Sequence, residues 1–216
     1  GCVLMVLMVR FFPAHLKATP ARGLIMGLGL VARTAFLFFP PNTDIYRYIW
    51  EGAVQNHGFN PYLSPPSDPA LAFLAEGDLN LIWHGLNHKE FTALYPPAAQ
   101  MLFRLLAWVS PTAVFFKAVF LLFDIGVMAV LAALLRVRRL PAGRLLLYAG
   151  NPLVIVFVSG EGHLDVLQIF FLFLGLFFLV RGRRAGGCFS LGLAVMCKYT
   201  AAAAIPFFWS RHARLG

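Results

Sequence analysis

The segment PNTDIYRY, residues 41–48, opens a polar interval that continues to Pro97 and holds six of the nine acidic residues of the chain. On either side of it, apolar blocks of about 18–22 residues alternate with short basic or Gly/Pro-rich segments, and a helix needs about 20 apolar residues to cross a bilayer. Since 60% of the residues are hydrophobic and only 12% are charged, the composition is typical of a membrane protein and not of a soluble domain.

The net charge of +9 is distributed in a way that predicts an orientation in the bilayer. Most basic residues fall in four groups between apolar blocks: Arg10, Lys17 and Arg22; Arg136, Arg138, Arg139 and Arg144; Arg181, Arg183 and Arg184; Arg211 and Arg214. This is the positive-inside pattern, in which anionic cytoplasmic lipid, and not nucleic acid, supplies the counter-charge. Residues 41–97 are therefore predicted to lie on the extracytoplasmic face.

We predict a single all-α domain over residues 1–216, a polytopic transmembrane helical bundle in which residues 41–97 form a long first extracytoplasmic loop. The chain begins at Gly1 inside an apolar run, so we expect it to be a fragment of a longer protein. The predicted crossings, each an apolar block bounded by polar or basic residues, are the tail of a helix at 1–12, then Gly23–Phe39, 112–135, 145–159 and 166–180.

Two segments leave the topology open. Residues 98–109 are too few to cross about 30 Å of hydrocarbon and are expected to be re-entrant or interfacial. Residues 188–209 form either one crossing with a polar centre or two half-helices whose tip holds Lys198 at the outer side. Within the loop, residues 44–55 and 81–93 are predicted to form short helices lying in the membrane interface.

Three charged residues lie inside the apolar blocks. Arg33 is costly at that depth, so it either pairs with a neighbouring helix or faces the site. Lys117 and Asp124 are seven residues apart on one helix face and are predicted to form a structural ion pair. An alternative function follows from the same residues: a transporter in which these charges and Lys198 line a polar path. The sequence shows no inverted repeat, and a long polar first loop has little use in a transporter.

Three polar groups are expected to meet on the extracytoplasmic face: the Asp44–Arg47 segment, the Glu161–Asp165 turn and the Lys198–Tyr199 pair. A carboxylate, a histidine or second acid, and a cation at a lipid boundary suit the attack of a sugar hydroxyl on a lipid-phosphate-activated sugar. The carboxylate would take the hydroxyl proton, and the cation would offset charge on the departing phosphate. Because no covalent intermediate is needed, the anomeric configuration would invert.

Six short motifs, in this order, resemble the GT-C superfamily of membrane glycosyltransferases. They are DIYRYIWEG (44–52), GFNPY (58–62), YPP (95–97), NPL (151–153), GHLD (162–165) and LGLAVMCKY (191–199). Within the superfamily they are most similar to polyprenyl-phosphate-mannose-dependent mannosyltransferases of bacteria. The resemblance covers roughly residues 40–210, and its strength lies in the order and spacing of motifs that are individually weak.

This resemblance implies a polyprenyl-phosphate sugar as donor, mannose or another hexose as the sugar, and a lipid or glycan as acceptor. It implies a bacterial inner-membrane enzyme whose active site faces outward, with Asp44 at the position of the catalytic acid of the first loop. The residues expected to bind substrate are Tyr46, Arg47, Tyr95, His163, Asp165, Lys198 and Tyr199. No cofactor and no metal ligand are assigned. A divalent metal stays open, because many members carry paired acids where this chain has Asp44 alone, with Glu51 two turns on.

The site residues also have structural explanations. Asp44 could cap the helix that it begins, since Asp is favoured at that position. Arg47, one turn away, could simply pair with Asp44. His163 and Asp165 could satisfy backbone groups at the start of the next helix.

Overall fold

The computed structural model describes residues 18–208, and all regular secondary structure in that range is helical. The helices are α1 (Ala18–Phe36), α2 (Asp44–Asn56), α3 (Ala72–Glu76), α4 (Asn80–Gly85), α5 (Pro97–Val109), α6 (Ala113–Val137), α7 (Leu146–Ala149), α8 (Pro152–Val154), α9 (Asp165–Val180) and α10 (Arg184–Cys197). Tighter 3₁₀ turns lie at Pro69–Leu71, Ala142–Leu145 and Tyr199–Ala204, and a π-helical turn at Ile155–Gly160. The predicted all-α class is confirmed for this part of the chain. The helix tail predicted at residues 1–12 lies outside the described residues.

Helices α1 and α6 are antiparallel neighbours. Near the end of α1, the backbone carbonyl of Phe39 accepts a hydrogen bond of 2.7 Å from Nζ of Lys117, near the start of α6. One and a half turns earlier in α1, Arg33 bonds to Asp124, two turns further into α6. The first turn of α6 therefore lies at the same end of the bundle as the segment that leads into α2.

Helix α9 runs parallel to α6. The turn before α9 touches the first part of α6, because a Cβ atom on Gly162 would fall 2.9 Å from Cγ of Lys117. Further along both helices, the rings of Phe123 and Phe170 meet edge to face at 5.4 Å. The beginnings of α6 and α9 thus lie at the same end of the bundle.

Helix α10 returns antiparallel to α9 and closes the arrangement, since Lys198, just past its end, bonds to Asp165 at the start of α9. One end of the bundle therefore collects the residues that the sequence predicted for the site, namely Asp44, His163, Asp165 and Lys198. The opposite end carries the arginines in the last turn of α6 and just after α6 and α9, namely Arg136, Arg138, Arg139, Arg181 and Arg183. The two ends differ in the sign of their charge.

Helix α2 packs as part of the core. Ile45, Tyr48 and Ile49 are fully buried, and the ring of Tyr48 stacks on Phe103 of α5 with centroids 4.8 Å apart. Gly52 allows the close crossing of α2 and α5, because a Cβ atom there would fall 2.2 Å from the carbonyl oxygen of Phe103. The helix predicted over residues 44–55 is confirmed, while its location in the membrane interface stays a prediction.

Among the described helices, α6 is long and apolar enough to cross a membrane. The segments Ala142–Ala149 and Pro152–Gly160 meet that criterion only when the pair, bent by 43°, counts as one crossing. Helices α9 and α10 are apolar but have 16 and 14 residues, about 24 and 21 Å at 1.5 Å per residue, which falls short of about 30 Å. The described chain is therefore a helical bundle with one or two candidate crossings, fewer than the sequence predicts.

The segments with open topology now have definite conformations. The stretch predicted as re-entrant or interfacial forms α5, a separate helix of 13 residues. The helical run over 188–209 is broken at Lys198, whose backbone is extended, which agrees with two half-helices rather than one crossing. The amphipathic piece predicted over 81–93 is helical only in its first part, within Asn80–Gly85.

The ion pair predicted between Lys117 and Asp124 is wrong. Asp124 instead accepts from Arg33 at 2.6 Å, and the Tyr148 hydroxyl also donates to it at 2.7 Å. Lys117 lies two turns away and reaches the Phe39 carbonyl instead. Arg33 and Asp124 both have 0% side-chain exposure, so this buried pair holds α1 and α6 together.

Candidate active site

Asp44 is the first residue of α2, and its carboxylate is free of the capping role that the sequence allowed. The side chain of Asn42 takes that role, because its Oδ1 accepts from the Asp44 amide at 3.1 Å. Thr43 holds the N-cap position without a side-chain bond to the helix. The Asp44 side chain is 37% exposed, and its Oδ2 lies 3.8 Å from Nδ1 of His163.

His163 lies between two carboxylates. Its Nδ1 faces Asp44, while its Nε2 lies 2.9 Å from Oε2 of Glu161. The imidazole stacks on the ring of Phe157, with centroids 3.7 Å apart and planes 11° apart, and its side chain is 12% exposed. The ring is therefore fixed in orientation, with each nitrogen directed at an acid.

The Glu161–His163 turn is held against α2 by its backbone. The Glu161 carbonyl accepts from the Asn42 amide at 2.9 Å. Gly162 has φ +81°, in the left-handed region, and a Cβ atom there would fall 2.6 Å from Cδ1 of Ile45. Because only glycine fits this conformation and this approach, Gly162 sets the distance between His163 and Asp44.

A second polar group begins two residues further on. Nζ of Lys198 lies 2.6 Å from Oδ1 of Asp165, and Gln168 donates to the same oxygen at 3.3 Å. Asp165 therefore binds side chains and does not satisfy backbone groups at the helix start. The break between α10 and the following 3₁₀ turn places Lys198 here, with its side chain 34% exposed. His163 and Asp165 are two residues apart in the chain, so the two polar groups lie at the same end of the bundle.

A pocket of about 310 Å³ opens beside Asp44. Its walls come from the first two turns of α2 and from the loop before α5, and they are Asp44, Arg47, Glu51, Asn87, His88, Phe91, Leu94 and Tyr95. Pockets that bind small ligands begin at about 300 Å³ and combine apolar walls with a few fixed polar groups. The sequence singled out Asp44, Arg47 and Tyr95, which the structure brings together at this pocket.

Arg47 lines the pocket but pairs with Glu51, at 2.6 Å, and not with Asp44. Its other nitrogens donate to the carbonyls of His88, at 2.9 Å, and Phe91. Gln100 donates to the second oxygen of Glu51. Burial raises the pKa of Glu51, and the hydrogen bonds from Arg47 and Gln100 oppose that shift. The guanidinium thus fastens the loop before α5 onto α2, which forms one wall of the pocket.

Tyr95 lines the pocket next to Asp44, and the buried ring of Tyr48 packs against it. The two rings meet edge to face at 5.1 Å. Burial raises the pKa of both phenols well above the ordinary value, and the nearby Asp44 carboxylate raises each further. Both phenols are therefore neutral.

The two remaining predicted site residues lie at the margin. Tyr46 turns away from the Asp44 pocket, with its ring against Gly85 of α4. Tyr199 follows Lys198 and is 61% exposed. Among residues 18–208, no group of three or more His, Cys, Asp and Glu side chains is arranged to hold a metal ion.

The sequence interpretation did not assign three residues that the structure brings to the site. Glu161 was visible within the second polar turn, and Asn42 stands two residues before Asp44, the spacing of an Asx turn. Tyr48 has no sequence signal beyond the periodicity of a buried helix face. Its place beside the site depends on ring contacts with Tyr95 and Phe103, which are distant in the sequence.

Comparisons of the sequence with known proteins give matches over most of the chain. The profile of the alpha-(1->6)-mannopyranosyltransferase N-terminal domain matches residues 4–214. The chain is 29% identical over 194 residues to alpha-(1->6)-mannopyranosyltransferase A of Mycobacterium tuberculosis, which covers 79% of this chain and 34% of that relative. It is 26% identical over 194 residues to the protein of the same name from Corynebacterium glutamicum, covering 83% of this chain and 38% of that relative. The chain thus spans roughly a third of the length of these relatives, and no solved structure matches it.

Proposed function

The chain belongs to the alpha-(1->6)-mannopyranosyltransferase family, and on that premise we propose that it carries the catalytic carboxylate of an integral membrane mannosyltransferase. The donor is a polyprenyl-phosphate mannose and the acceptor is a lipid or glycan with a free sugar hydroxyl. The observation that carries the proposal is the half-exposed Asp44 carboxylate at the mouth of a pocket, held 3.8 Å from His163.

In this proposal Asp44 is the general base. The acceptor oxygen attacks the anomeric carbon of the donor while Asp44 takes the hydroxyl proton. The bond between the anomeric carbon and the phosphate oxygen breaks, and its electron pair leaves with the phosphate. The reaction is a single displacement, so the anomeric configuration inverts. Asp44 suits the base role because its carboxylate is not consumed by a cap or by Arg47.

The sugar that reacts is assigned to the pocket beside Asp44. Asn87 offers an amide, and Tyr95 a neutral hydroxyl at the pocket floor, while Phe91 and Leu94 supply apolar walls. A mixed lining of this kind matches a hexose, which presents hydroxyl groups at its rim and C–H groups on its face. Arg47 acts here by holding the wall, because its nitrogens already bind Glu51 and two loop carbonyls.

The donor phosphate and its prenyl chain are assigned to the side of Lys198. An apolar groove of about 360 Å³ runs along α9 from Ile169 to Leu179 and is closed by Ala204, Phe207 and Phe208. Ile169, at one end of the groove, lies one helical turn after Asp165, the partner of Lys198. A cation at the head of an apolar groove matches a lipid phosphate, whose charge it would offset as the phosphate departs.

The charge difference between the two ends of the bundle supports an extracytoplasmic site in a bacterial inner membrane. The arginines after α6 and α9 lie at the end opposite Asp44, where anionic cytoplasmic lipid would attract them. With α6 as a crossing of 25 residues, Asp44 and Lys198 lie at the outer boundary, where a membrane-bound donor presents its phosphate.

The test is sugar transfer by the whole protein in membranes supplied with radiolabelled polyprenyl-phosphate mannose. We expect labelled product whose new glycosidic bond has the configuration opposite to that of the donor. Asp44→Asn should abolish transfer while the protein stays abundant and inserted. Asp78→Asn, the same change at an exposed position of the same loop, should leave transfer intact. Label taken directly from a nucleotide sugar, or transfer by Asp44→Asn, would overturn the proposal.

A further inference from the structure

We propose that Glu161 is a positioning residue that fixes the tautomer of His163 and completes a proton exit from Asp44 to water. This inference rests on the proposed function, because it concerns the proton that Asp44 takes from the acceptor. Glu161 is suited to the role because its side chain is 40% exposed while its Oε2 contacts the buried imidazole at 2.9 Å.

The hydrogen bonds around His163 decide which nitrogen carries the proton. Two groups approach Nε2, the Glu161 carboxylate at 2.9 Å and Nδ2 of Asn42 at 3.3 Å. The carboxylate can only accept, and a charge-assisted bond is shorter and stronger than a neutral one. The Asn42 amide is oriented by its Oδ1, which accepts from the Asp44 amide and from Thr43, so its Nδ2 is a donor that competes at Nε2. This neutral contact is longer than the charge-assisted bond to Glu161, which therefore decides the tautomer. Nε2 of His163 therefore holds the proton, and Nδ1 is the free acceptor that faces Asp44.

This tautomer gives Asp44 a place to deliver its proton. After transfer, the protonated Asp44 donates to Nδ1 of His163, and the proton on Nε2 passes to Glu161. Glu161 releases it to water and returns to the carboxylate. When the product leaves, exchange with water moves the remaining ring proton from Nδ1 back to Nε2, the tautomer that Glu161 favours. The distance of 3.8 Å between Asp44 and Nδ1 exceeds a hydrogen bond, and one water or a small rotation of Asp44 closes it, as is common before substrate binds.

The other charged groups nearby do not compete for this proton. Lys117 touches Gly162 through its alkyl chain, and its Nζ is bonded to the Phe39 carbonyl. Asp165 is paired with Lys198 at 2.6 Å. Asp44 and Glu161 are thus the acids that face the two nitrogens of the ring, and they form the two ends of one path.

The test uses two substitutions of Glu161 in the whole protein, assayed for mannosyl transfer. Glu161→Gln can still accept a hydrogen bond from His163 but cannot take a proton. We expect it to lower kcat by about tenfold to a hundredfold, less than the loss of the base itself, which costs about 10²–10⁴-fold. The KM values for both substrates should stay within about twofold, because Glu161 does not touch either one.

Rescue by a small acid separates a proton path from a merely structural role. Glu161→Ala opens space beside Nε2, so formate should restore its kcat in a concentration-dependent way and should do nothing for Glu161→Gln. Glu76→Ala, an exposed acid on α3, should keep full activity with or without formate. Unchanged kcat in Glu161→Gln, or a folded Glu161→Ala variant that formate does not rescue, would overturn the inference. Asp44→Asn is measured in parallel, and its retained activity would instead overturn the proposed function.

Discussion

Two acid–base clusters in this chain contain similar residues and serve opposite purposes. In the first, Arg33 and Asp124 are fully buried between α1 and α6, and Tyr148 and the Ala149 carbonyl use the remaining donors and acceptors. In the second, Asp44 is 37% exposed and has a histidine 3.8 Å away, with unused hydrogen-bonding capacity directed at a pocket. The comparison shows that a charge in an apolar chain indicates a reaction only where its hydrogen bonds are incomplete and solvent or substrate can reach it.

The largest effect is expected from a substitution that breaks the first cluster. Asp124→Ala leaves the Arg33 charge buried without a partner, which should lower the free energy of unfolding by about 3–5 kcal/mol. Asp44→Ala removes a solvent-screened carboxylate and should change stability by about 0.5 kcal/mol or less. Thermal unfolding of the detergent-solubilised variants measures both. Equal destabilisation would remove the distinction between the clusters.

A smaller effect is expected from the glycine that sets the spacing of the second cluster. Gly162→Ala adds a Cβ atom 2.6 Å from Cδ1 of Ile45 at a residue with φ +81°. It should lower the free energy of unfolding by about 1–3 kcal/mol. It should also reduce transfer, because it moves His163 away from Asp44. Gly58→Ala is the control, since Gly58 has φ +84° with no atom within 4 Å of the added Cβ. It should share the strain and keep the activity. Equal loss of activity in both variants would show that spacing at Gly162 is unimportant.

The tyrosine below Asp44 should have a moderate effect. Tyr48→Phe removes a buried hydroxyl that lies near Tyr95 and the Asp44 carboxylate, and we expect the free energy of unfolding to change by about 0.5–1.5 kcal/mol. We also expect lower kcat, because this hydroxyl is close to the Asp44 carboxylate. Tyr62→Phe removes a bond of 2.6 Å from a more exposed hydroxyl to the Tyr95 carbonyl and should leave kcat unchanged. Unaltered kcat in Tyr48→Phe would confine the Tyr48 hydroxyl to a role in stability.

The smallest effect should come from replacing both charges of the first cluster. The double variant Arg33→Met with Asp124→Leu exchanges a buried ion pair for apolar contacts, which is often neutral or stabilising. We expect the free energy of unfolding to stay within about 1 kcal/mol of that of the original protein, and mannosyl transfer to be fully retained. Loss of transfer in a stable double variant would mean that the first cluster also takes part in the reaction.

The sequence predicted the helical class and the helix at Asp44, and it gave the break at Lys198 as one of two alternatives, because these features depend on local composition. It also predicted that Asp44, His163 and Lys198 share one face, since the alternation of basic segments fixes which ends meet. The partners of buried charges could not be predicted, because spacing along one helix cannot reveal an acceptor on another. Arg47 shows the same limit. Asp44 lies three residues before it and Glu51 four residues after it, and either spacing allows an ion pair on a helix. In the structure Glu51 is the partner, and it also accepts from Gln100 of α5.

The central claim is that Asp44 removes a proton in the transition state, and the separate effects of Asp44→Asn on kcat and KM test it most directly. The amide keeps the size and most contacts of the carboxylate but cannot act as a base. We predict a fall in kcat of about 10²–10⁴-fold, with the KM values for polyprenyl-phosphate mannose and acceptor within about threefold of the original. An unchanged kcat, or a loss confined to KM, would contradict the account.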